Sequence, residues 1–185
     1  MTLRELTDEE LALRARVEPR AAFEVLFERH RDALYSFLLR QGASEALAED
    51  LFQTAFLKAF RAIGGFREDA RFKTWLYTIA TNVLQDDRRA VLRRGAAVAL
   101  PEAALSDAPG ADEAVERGEA KGRLNAALAR VPAHHRALFT LVRFQGLSIA
   151  EAAEAVGMTP AAAKVTLFRT QRKIGEMFSS VRNEK

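Results

Sequence analysis

The sequence lacks cysteine altogether, and this absence removes several kinds of chemistry at once. Disulfide bonds, thiolate zinc sites and a catalytic thiol are excluded among its 185 residues. Long apolar runs are missing too, so we expect no membrane span, and the early acid at Glu5 argues against a signal peptide. Together these absences fit a protein of the reducing cytoplasm, which is the location we expect.

Signatures of catalysis are also missing. The sequence contains no glycine-rich phosphate motif and no assignable Ser/His/Asp spacing. Of its three histidines, His134 and His135 have no companion ligands, while His30 falls on an apolar helical stripe and is interpreted as a packed histidine. We therefore expect no enzyme, no metal ion and no cofactor.

What the chain does contain is enough apolar material for two helical domains. Hydrophobic residues make up 49% of the sequence and charged residues 29%, with a formal net charge of +3. Such a small net charge does not by itself indicate nucleic-acid binding, because many soluble proteins carry as much. The positions of the charges are therefore more informative than their sum.

Helix signals divide the first 94 residues into four helices. Thr7 and Glu10 form a capping box, and apolar residues recur at three-and-four spacing after it. The expected helices run from Thr7 to about Val17, from Arg20 to Arg40, from the cap Ser44 to Ile63, and from about Phe72 to Arg94. Four helices of this length predict one compact bundle over residues 1–94.

Residues 95–118 differ in composition from both flanks. They hold two prolines, many alanines and an excess of acids, whose members are Glu102, Asp107, Asp112, Glu113 and Glu116. This composition predicts a flexible acidic linker. Four further helices are predicted beyond it, at about Glu119–Arg130, Ala133–Phe144, Ile149–Val156 and Pro160–Phe178. The prediction is an all-α protein with a second domain over residues 119–185.

The last two predicted helices have the pattern of a helix-turn-helix at about residues 148–173. A capping box at Ser148 and Glu151 starts the first, Gly157 ends it, and Thr159 caps the second ahead of Pro160. The second helix has a cationic outer face that suits the major groove of DNA. An ordinary helical hairpin with solvated bases is the alternative.

A second cluster, from Ala70 to Asn82, interleaves aromatic and basic residues. Such a pattern suits stacking on unpaired nucleotides while their phosphates are held. A tryptophan at helical spacing is also typical of a packed core, so both interpretations stay open at this point.

The order of these elements resembles the extracytoplasmic-function (ECF) group of the sigma-70 family. Four segments carry the resemblance, namely Ala22–His30, Ala48–Phe60, Phe72–Asn82 and the helix-turn-helix. The resemblance implies a region 2 domain, then an acidic linker toward the polymerase cleft, then a region 4 domain. It also implies core RNA polymerase (clamp coiled coil and flap), promoter DNA and an anti-sigma factor as partners.

The resemblance further assigns residues to three surfaces. Core-polymerase binding falls to Asp50, Gln53, Thr54 and Leu57. The single-stranded −10 element falls to Phe66, Arg71, Phe72, Lys73, Trp75, Tyr77, Asn82, Arg88 and Arg89. The duplex −35 element falls to Thr159, Ala161, Ala162, Lys164, Val165, Thr166, Arg169, Arg172 and Lys173.

One segment departs from the family pattern. Where relatives commonly have Gly-Thr-Val-Lys-Ser-Arg, this chain has Ala-Ala-Ala-Lys-Val-Thr over residues 161–166. The change removes a bidentate guanine reader, so the −35 preference is expected to differ from that of the family. A free-standing helix-turn-helix regulator and a helical adaptor are the alternatives, and co-purification with core polymerase distinguishes them from a sigma factor.

Overall fold

A computed structural model describes residues 2–95 and 122–182 of the chain. In these ranges the elements are a short 3-10 turn at Leu3–Glu5, α1 (Asp8–Arg14), α2 (Pro19–Arg40), α3 (Glu45–Ala62), a 3-10 turn at Ile63–Gly65, α4 (Phe72–Arg93), α5 (residues 122–129), α6 (Ala133–Arg143), α7 (Ile149–Val156) and α8 (Pro160–Arg182). The prediction of an all-α protein is confirmed over the described residues. The predicted linker lies almost wholly outside them.

The residues that were predicted to cap the helices form the expected hydrogen bonds. The side chain of Thr7 accepts from the Glu10 amide while Glu10 accepts from the Thr7 amide, and Ser44 caps α3 through the Leu47 amide. Gly157 ends α7 with a φ of 72°, a left-handed conformation that a residue with a Cβ adopts only under strain.

The first domain packs α1 to α4 around one apolar core. Its largest fully buried side chains come from α1, α2, α4 and the loop before α4, namely Leu11, Leu26, Leu34, Phe37, Leu38, Phe66, Phe72, Leu76 and Tyr77, and α3 adds Ala48, Leu51, Ala55, Phe56 and Ala59. Phe23, Phe27 and Phe56 add edge-to-face aromatic contacts between α2 and α3. α1 is held to α2 by polar contacts, because Asp8 receives hydrogen bonds from Arg29 and His30.

In the second domain, α7 and α8 cross at small residues. Ala152, Ala153 and Ala163 are almost completely buried, which permits close approach of the two helices. The inner face of α8 carries Ala163, Leu167, Thr170 and Ile174 at helical spacing, and all four are buried. No helix in the described parts of the chain is both long and apolar enough to cross a bilayer.

The two domains contact each other through α4 and α7. The Tyr77 hydroxyl of α4 donates to Gln145 Oε1 at 2.7 Å, and Gln145 Nε2 donates to the Ala33 carbonyl at 3.3 Å. The Thr81 hydroxyl donates to the Ala155 carbonyl at the end of α7. These groups are buried, so the contact excludes water from one side of α4.

A guanidinium is buried at the edge of the same contact. Arg136 of α6 is 6% exposed, and its Nη1 donates to the Leu128 carbonyl at 3.4 Å. Burial, with a smaller contribution from the nearby Arg88, lowers the pKa of Arg136 to about 10. Gly42 lies against this group with a φ of 83°, and a Cβ there would lie 3.3 Å from Arg136 Nη1.

The Asp8 contact predicts a pH-dependent stability. The hydrogen bond from His30, aided by Arg29, outweighs burial and lowers the pKa of Asp8 to about 2. Because the folded pKa lies below the unfolded one, this stabilisation is present above about pH 4 and disappears as the pH falls toward 2. Asp8→Asn should cost about 1–2 kcal/mol at pH 7, with little difference from wild type near pH 2. Chemical unfolding followed by circular dichroism measures both, with the exposed Asp32→Asn as control; equal losses at both pH values would contradict the assignment.

The interdomain contact predicts an effect of a single hydroxyl. Burial raises the pKa of Tyr77 well above its usual range, so the phenol stays protonated and donates to Gln145. Tyr77→Phe should lower the free energy of unfolding by about 1 kcal/mol, because a buried acceptor loses its donor. Tyr35, the chain's other tyrosine, provides the control Tyr35→Phe. Urea titrations in which both variants lose the same stability would mean that the interdomain bond contributes nothing.

Candidate nucleic-acid and protein interfaces

The four residues assigned to core-polymerase binding form one stripe on α3. Asp50, Gln53, Thr54 and Leu57 follow i, i+3, i+4, i+7 spacing and are all exposed. Leu57 is 49% exposed, and the Gln53 amide donates to Glu49 at 2.9 Å. The opposite face of α3 carries Ala48, Leu51, Ala55 and Ala59 into the core. The core side thus fixes which way the polar stripe points.

The residues assigned to the −10 element separate into two groups. Arg71, Asn82 and Arg89 are exposed, and Lys73 and Trp75 are half-buried. Phe66, Phe72 and Tyr77 are instead almost completely buried. These three rings therefore do not lie on the surface in this arrangement, and their assignment to the −10 element stays a prediction.

The physical reason is the loop between Gly65 and α4. Phe66 and Phe72 turn inward and pack edge-on to one another, with 6.0 Å between their ring centroids. The ring centroid of Trp75 lies 5.6 Å from that of Phe66 and 5.7 Å from that of Phe72. Trp75 is the outermost ring of this cluster. The core interpretation of the segment from Ala70 to Asn82 is confirmed for Phe72 and Tyr77, whereas stacking of a nucleotide on the half-exposed Trp75 stays a prediction.

Arg88 also departs from its assignment. It lies on the side of α4 that carries Thr81 and donates to the Gln41 carbonyl at 3.2 Å, and burial lowers its pKa. Asn82 and Arg89 lie together on a different side. They line an open groove between α3 and α4 with Lys58, Ala62, Ile79, Gln85 and Asp86.

Lys58 and Gln85 of this groove were not singled out from the sequence. They belong to two consecutive helices, and only the crossing of α3 and α4 brings them together. The Lys58 ammonium lies 3.4 Å from Asp86 Oδ2, and Arg89 lies 3.7 Å from the same carboxylate. The groove therefore carries two basic side chains, Lys58 and Arg89, that share the carboxylate of Asp86.

On α8, the assigned −35 residues form a continuous outer surface. Thr159, Ala161, Ala162, Lys164, Val165, Arg169, Arg172 and Lys173 are exposed, and Thr166 is partly exposed. Arg172 pairs with Glu176 at 3.5 Å, and Lys173 donates to the Arg130 carbonyl at 3.2 Å, so these two bases already have local partners. Lys164 and Arg169 lie nearer the start of the helix.

Sequence reasoning missed Phe168, whose side chain is 66% exposed beside Val165 at 51%. Both residues fall off the buried stripe of α8, so helical periodicity alone could have placed this aromatic ring outside. An exposed apolar pair within a cationic surface is suited to contact with methyl groups.

The acids of α7 face the bases of the first domain. The pKa of Glu151 is lowered chiefly by hydrogen bonds from Ser148, with smaller contributions from Arg71 and Lys73 of the first domain. Arg67, whose main partner is Asp69, also feels the charge of Glu154. The charge of Glu151 therefore acts on Arg71 and Lys73, two basic side chains that were assigned to DNA.

Comparison with known proteins agrees with this arrangement of domains. The family model described as Sigma-70 region 2 matches residues 26–94, and that described as Sigma-70, region 4 matches residues 121–174. RNA polymerase sigma factor CarQ of Myxococcus xanthus is 33% identical over 88% of this chain and 92% of its own length. ECF RNA polymerase sigma factor SigM of Mycobacterium tuberculosis is 32% identical over 94% of this chain and 85% of its own length.

The fold is also found among solved structures. The structure of CnrH in complex with the cytosolic domain of CnrY matches with a TM-score of 0.71 at 23% identity, covering 94% of this chain and 97% of that one. Two successive helical domains, the order of their family matches and the identity to curated relatives lead to one conclusion. The chain belongs to the extracytoplasmic-function group of the sigma-70 family, the RNA polymerase sigma factors that direct promoter-specific transcription initiation.

Proposed function

We propose that this protein binds core RNA polymerase through α3 and recognises promoters with α4 and α8. The observation that carries the proposal is the presence, on one chain, of a region 2 domain with an exposed polar stripe and a region 4 domain with a cationic recognition helix. The polymerase supplies the chemistry, in the cytoplasm, and this chain supplies recognition. Joining two weak DNA contacts in one molecule raises their combined affinity.

The α3 stripe is the proposed docking surface for the clamp coiled coil. It combines a carboxylate, an amide, a hydroxyl and the half-exposed Leu57 along one line of a rigid helix. A linear stripe of this kind fits against the side of another helix, where an apolar anchor is surrounded by polar contacts. The second domain reaches the polymerase flap in this proposal.

The single-stranded −10 element is proposed to bind across the start of α4 and the groove beside it. Arg71 and Lys73 offer charge for phosphates, Trp75 offers a partly exposed ring for stacking, and Asn82 with Arg89 lines the groove. Phe66 and Phe72 support this surface from beneath. Tyr77 and Arg88 are covered in the described arrangement and reach DNA only after the domains separate.

Separation of the domains follows from what each has to contact. The α4–α7 contact covers one side of the −10 helix, and the charge of Glu151 acts on Arg71 and Lys73 at the start of that helix. We therefore place the described arrangement in the free protein and expect polymerase binding to open it. An anti-sigma factor is the proposed partner that keeps the protein from polymerase, and the solved relative bound to CnrY has the same fold.

The −35 duplex is proposed to lie against the outer face of α8. Ala161, Ala162, Val165 and Thr166 near its start cannot make a bidentate contact to guanine. Val165 and the exposed Phe168 suit thymine methyl groups, while Lys164 and Arg169 suit phosphates. Recognition then depends on charge, groove shape and methyl contacts, and affinity falls steeply as salt rises.

Charge reversal on α3 tests polymerase binding. Asp50→Arg with Gln53→Arg should abolish assembly with core polymerase and promoter-dependent run-off transcription while leaving helicity intact. Glu24→Arg with Asp32→Arg, at exposed sites on α2, is the matched control. Assembly is measured by co-elution and helicity by circular dichroism. Wild-type affinity of the α3 variant for core polymerase would show that this stripe is not the docking surface.

Adding an arginine to α8 tests the −35 assignment. Thr166→Arg should tighten binding to guanine-containing −35 duplexes by roughly tenfold, which is the size of one bidentate contact. It should change the affinity for A·T-rich duplexes less. Fluorescence anisotropy of holoenzyme on a −35 library, at two salt concentrations, measures the difference. Ala46→Arg, which adds the same charge at an exposed site of the first domain, is the control. If wild type prefers guanine as strongly as the variant does, Lys164 or Arg169 already reads that base.

A further inference from the structure

α1 lies outside the segment that matches the region 2 family model, yet it is firmly attached to the first domain. The match begins at residue 26, whereas α1 spans Asp8–Arg14. Leu11, Ala12 and Ala15 on its inner side are almost fully buried. With the Asp8 hydrogen bonds to Arg29 and His30, this makes α1 a rigid base for side chains that point elsewhere.

Two of those side chains bind the backbone at opposite ends of the loop between Phe66 and Phe72. Just after α1, the Arg16 guanidinium donates to the Phe66 carbonyl, and its Nη1 lies 3.8 Å from Glu68 Oε1. At the other end, Glu9 Oε1 accepts from the Phe72 amide at 3.2 Å. One helix thus holds both the entry and the exit of the loop.

The Glu9 contact supplies a cap that α4 does not provide for itself. Phe72 is the first residue of α4, where backbone amides have no partner within the helix, and Arg71 at the N-cap makes no side-chain capping bond. A carboxylate placed there satisfies an amide and interacts favourably with the positive end of the helix dipole. The direction in which α4 leaves the loop is therefore set partly by α1.

Between these two points the loop has only local support on its outer side. Arg67 and Asp69 pair with each other at 2.7 Å, and both are exposed. Beneath them Phe66, Phe72 and Trp75 form the aromatic cluster, and the His30 ring lies 5.3 Å from Phe72. Holding the backbone at both ends fixes these rings and the bases that flank them.

We propose that Glu9 and Arg16 are positioning residues that fix the 66–72 loop in the form that captures the −10 strand. This inference rests on the proposed function of that loop. A surface that is ordered before binding loses less conformational entropy when the strand arrives. Loss of either contact removes no side chain from the loop but releases its backbone, which weakens −10 binding without affecting the α3 docking surface.

The experiment compares Glu9→Ala and Arg16→Ala with rescue variants and a matched control. Glu9→Gln keeps an oxygen that accepts from the Phe72 amide, and Arg16→Lys keeps a donor for the Phe66 carbonyl. Arg14→Ala with Glu18→Ala removes a neighbouring exposed ion pair that does not contact the loop. All variants are compared as full-length protein, free and assembled with core polymerase.

Two measurements are made on each variant. Hydrogen exchange of the free protein reports on the 66–72 amides, and holoenzyme titration with a single-stranded −10 oligonucleotide reports on capture. We expect both alanine variants to exchange faster in the loop and to bind the oligonucleotide about tenfold more weakly, the size expected for one lost helix cap, at unchanged affinity for core polymerase. Glu9→Gln should recover most of the loss.

The outcomes separate this inference from the function on which it rests. If the 66–72 amides exchange as in wild type in both alanine variants, Glu9 and Arg16 do not hold the loop, and the inference is overturned. Faster exchange with unchanged oligonucleotide binding leaves Glu9 and Arg16 a purely structural role and overturns positioning. If wild-type holoenzyme binds −10 and scrambled oligonucleotides equally, the proposed −10 function fails, and the positioning role fails with it. The exchange data still report whether Glu9 and Arg16 hold the loop.

Discussion

The packing of α4 against α7 is the contact on which the state of the whole molecule depends. Tyr77 and Thr81 contribute hydroxyls to it, and Gln145 and the Ala155 carbonyl receive them in a water-excluded interface. Each buried hydrogen bond contributes modest free energy, but breaking one leaves an unsatisfied group, so the contact is lost or kept as a unit. It joins α4, the helix assigned to the −10 element, to the second domain, whose helix α8 is assigned to the −35 element.

The same contact also contains features that limit its stability. Arg136 is buried near Arg88, its Nε has no hydrogen-bond partner among the described residues, and burial lowers the pKa of both guanidinium groups. Gln41 is buried beside them, and neither its amide oxygen nor its amide nitrogen has a hydrogen-bond partner among the described residues. Incompletely satisfied polar groups make a protein interface easier to open than an apolar one of equal size. The proposed function requires such a balance, because the domains then have to separate on the polymerase.

The first domain, in contrast, holds the parts that are proposed to bind DNA on a rigid base. α1 fixes both ends of the loop before α4 through Glu9 and Arg16, and the aromatic cluster of Phe66, Phe72 and Trp75 fills the space beneath. Asp8 fastens α1 itself to α2. Binding of a flexible single strand requires exposed basic side chains on a rigid support, because only the strand then has to become ordered.

By itself the sequence determined the helices, their caps and the two-domain order, because periodicity and capping are local properties of the chain. Thr7, Ser44, Ser148 and Gly157 act as their neighbours in the sequence predict, and the outer and inner faces of α8 follow from helical spacing. Only the tertiary structure decided which assigned residues are accessible. Tyr77 and Arg88 are covered by partners far away in the chain, and Lys58 meets Arg89 only where α3 crosses α4. Burial depends on which distant surfaces meet, and a periodic pattern carries no information about that.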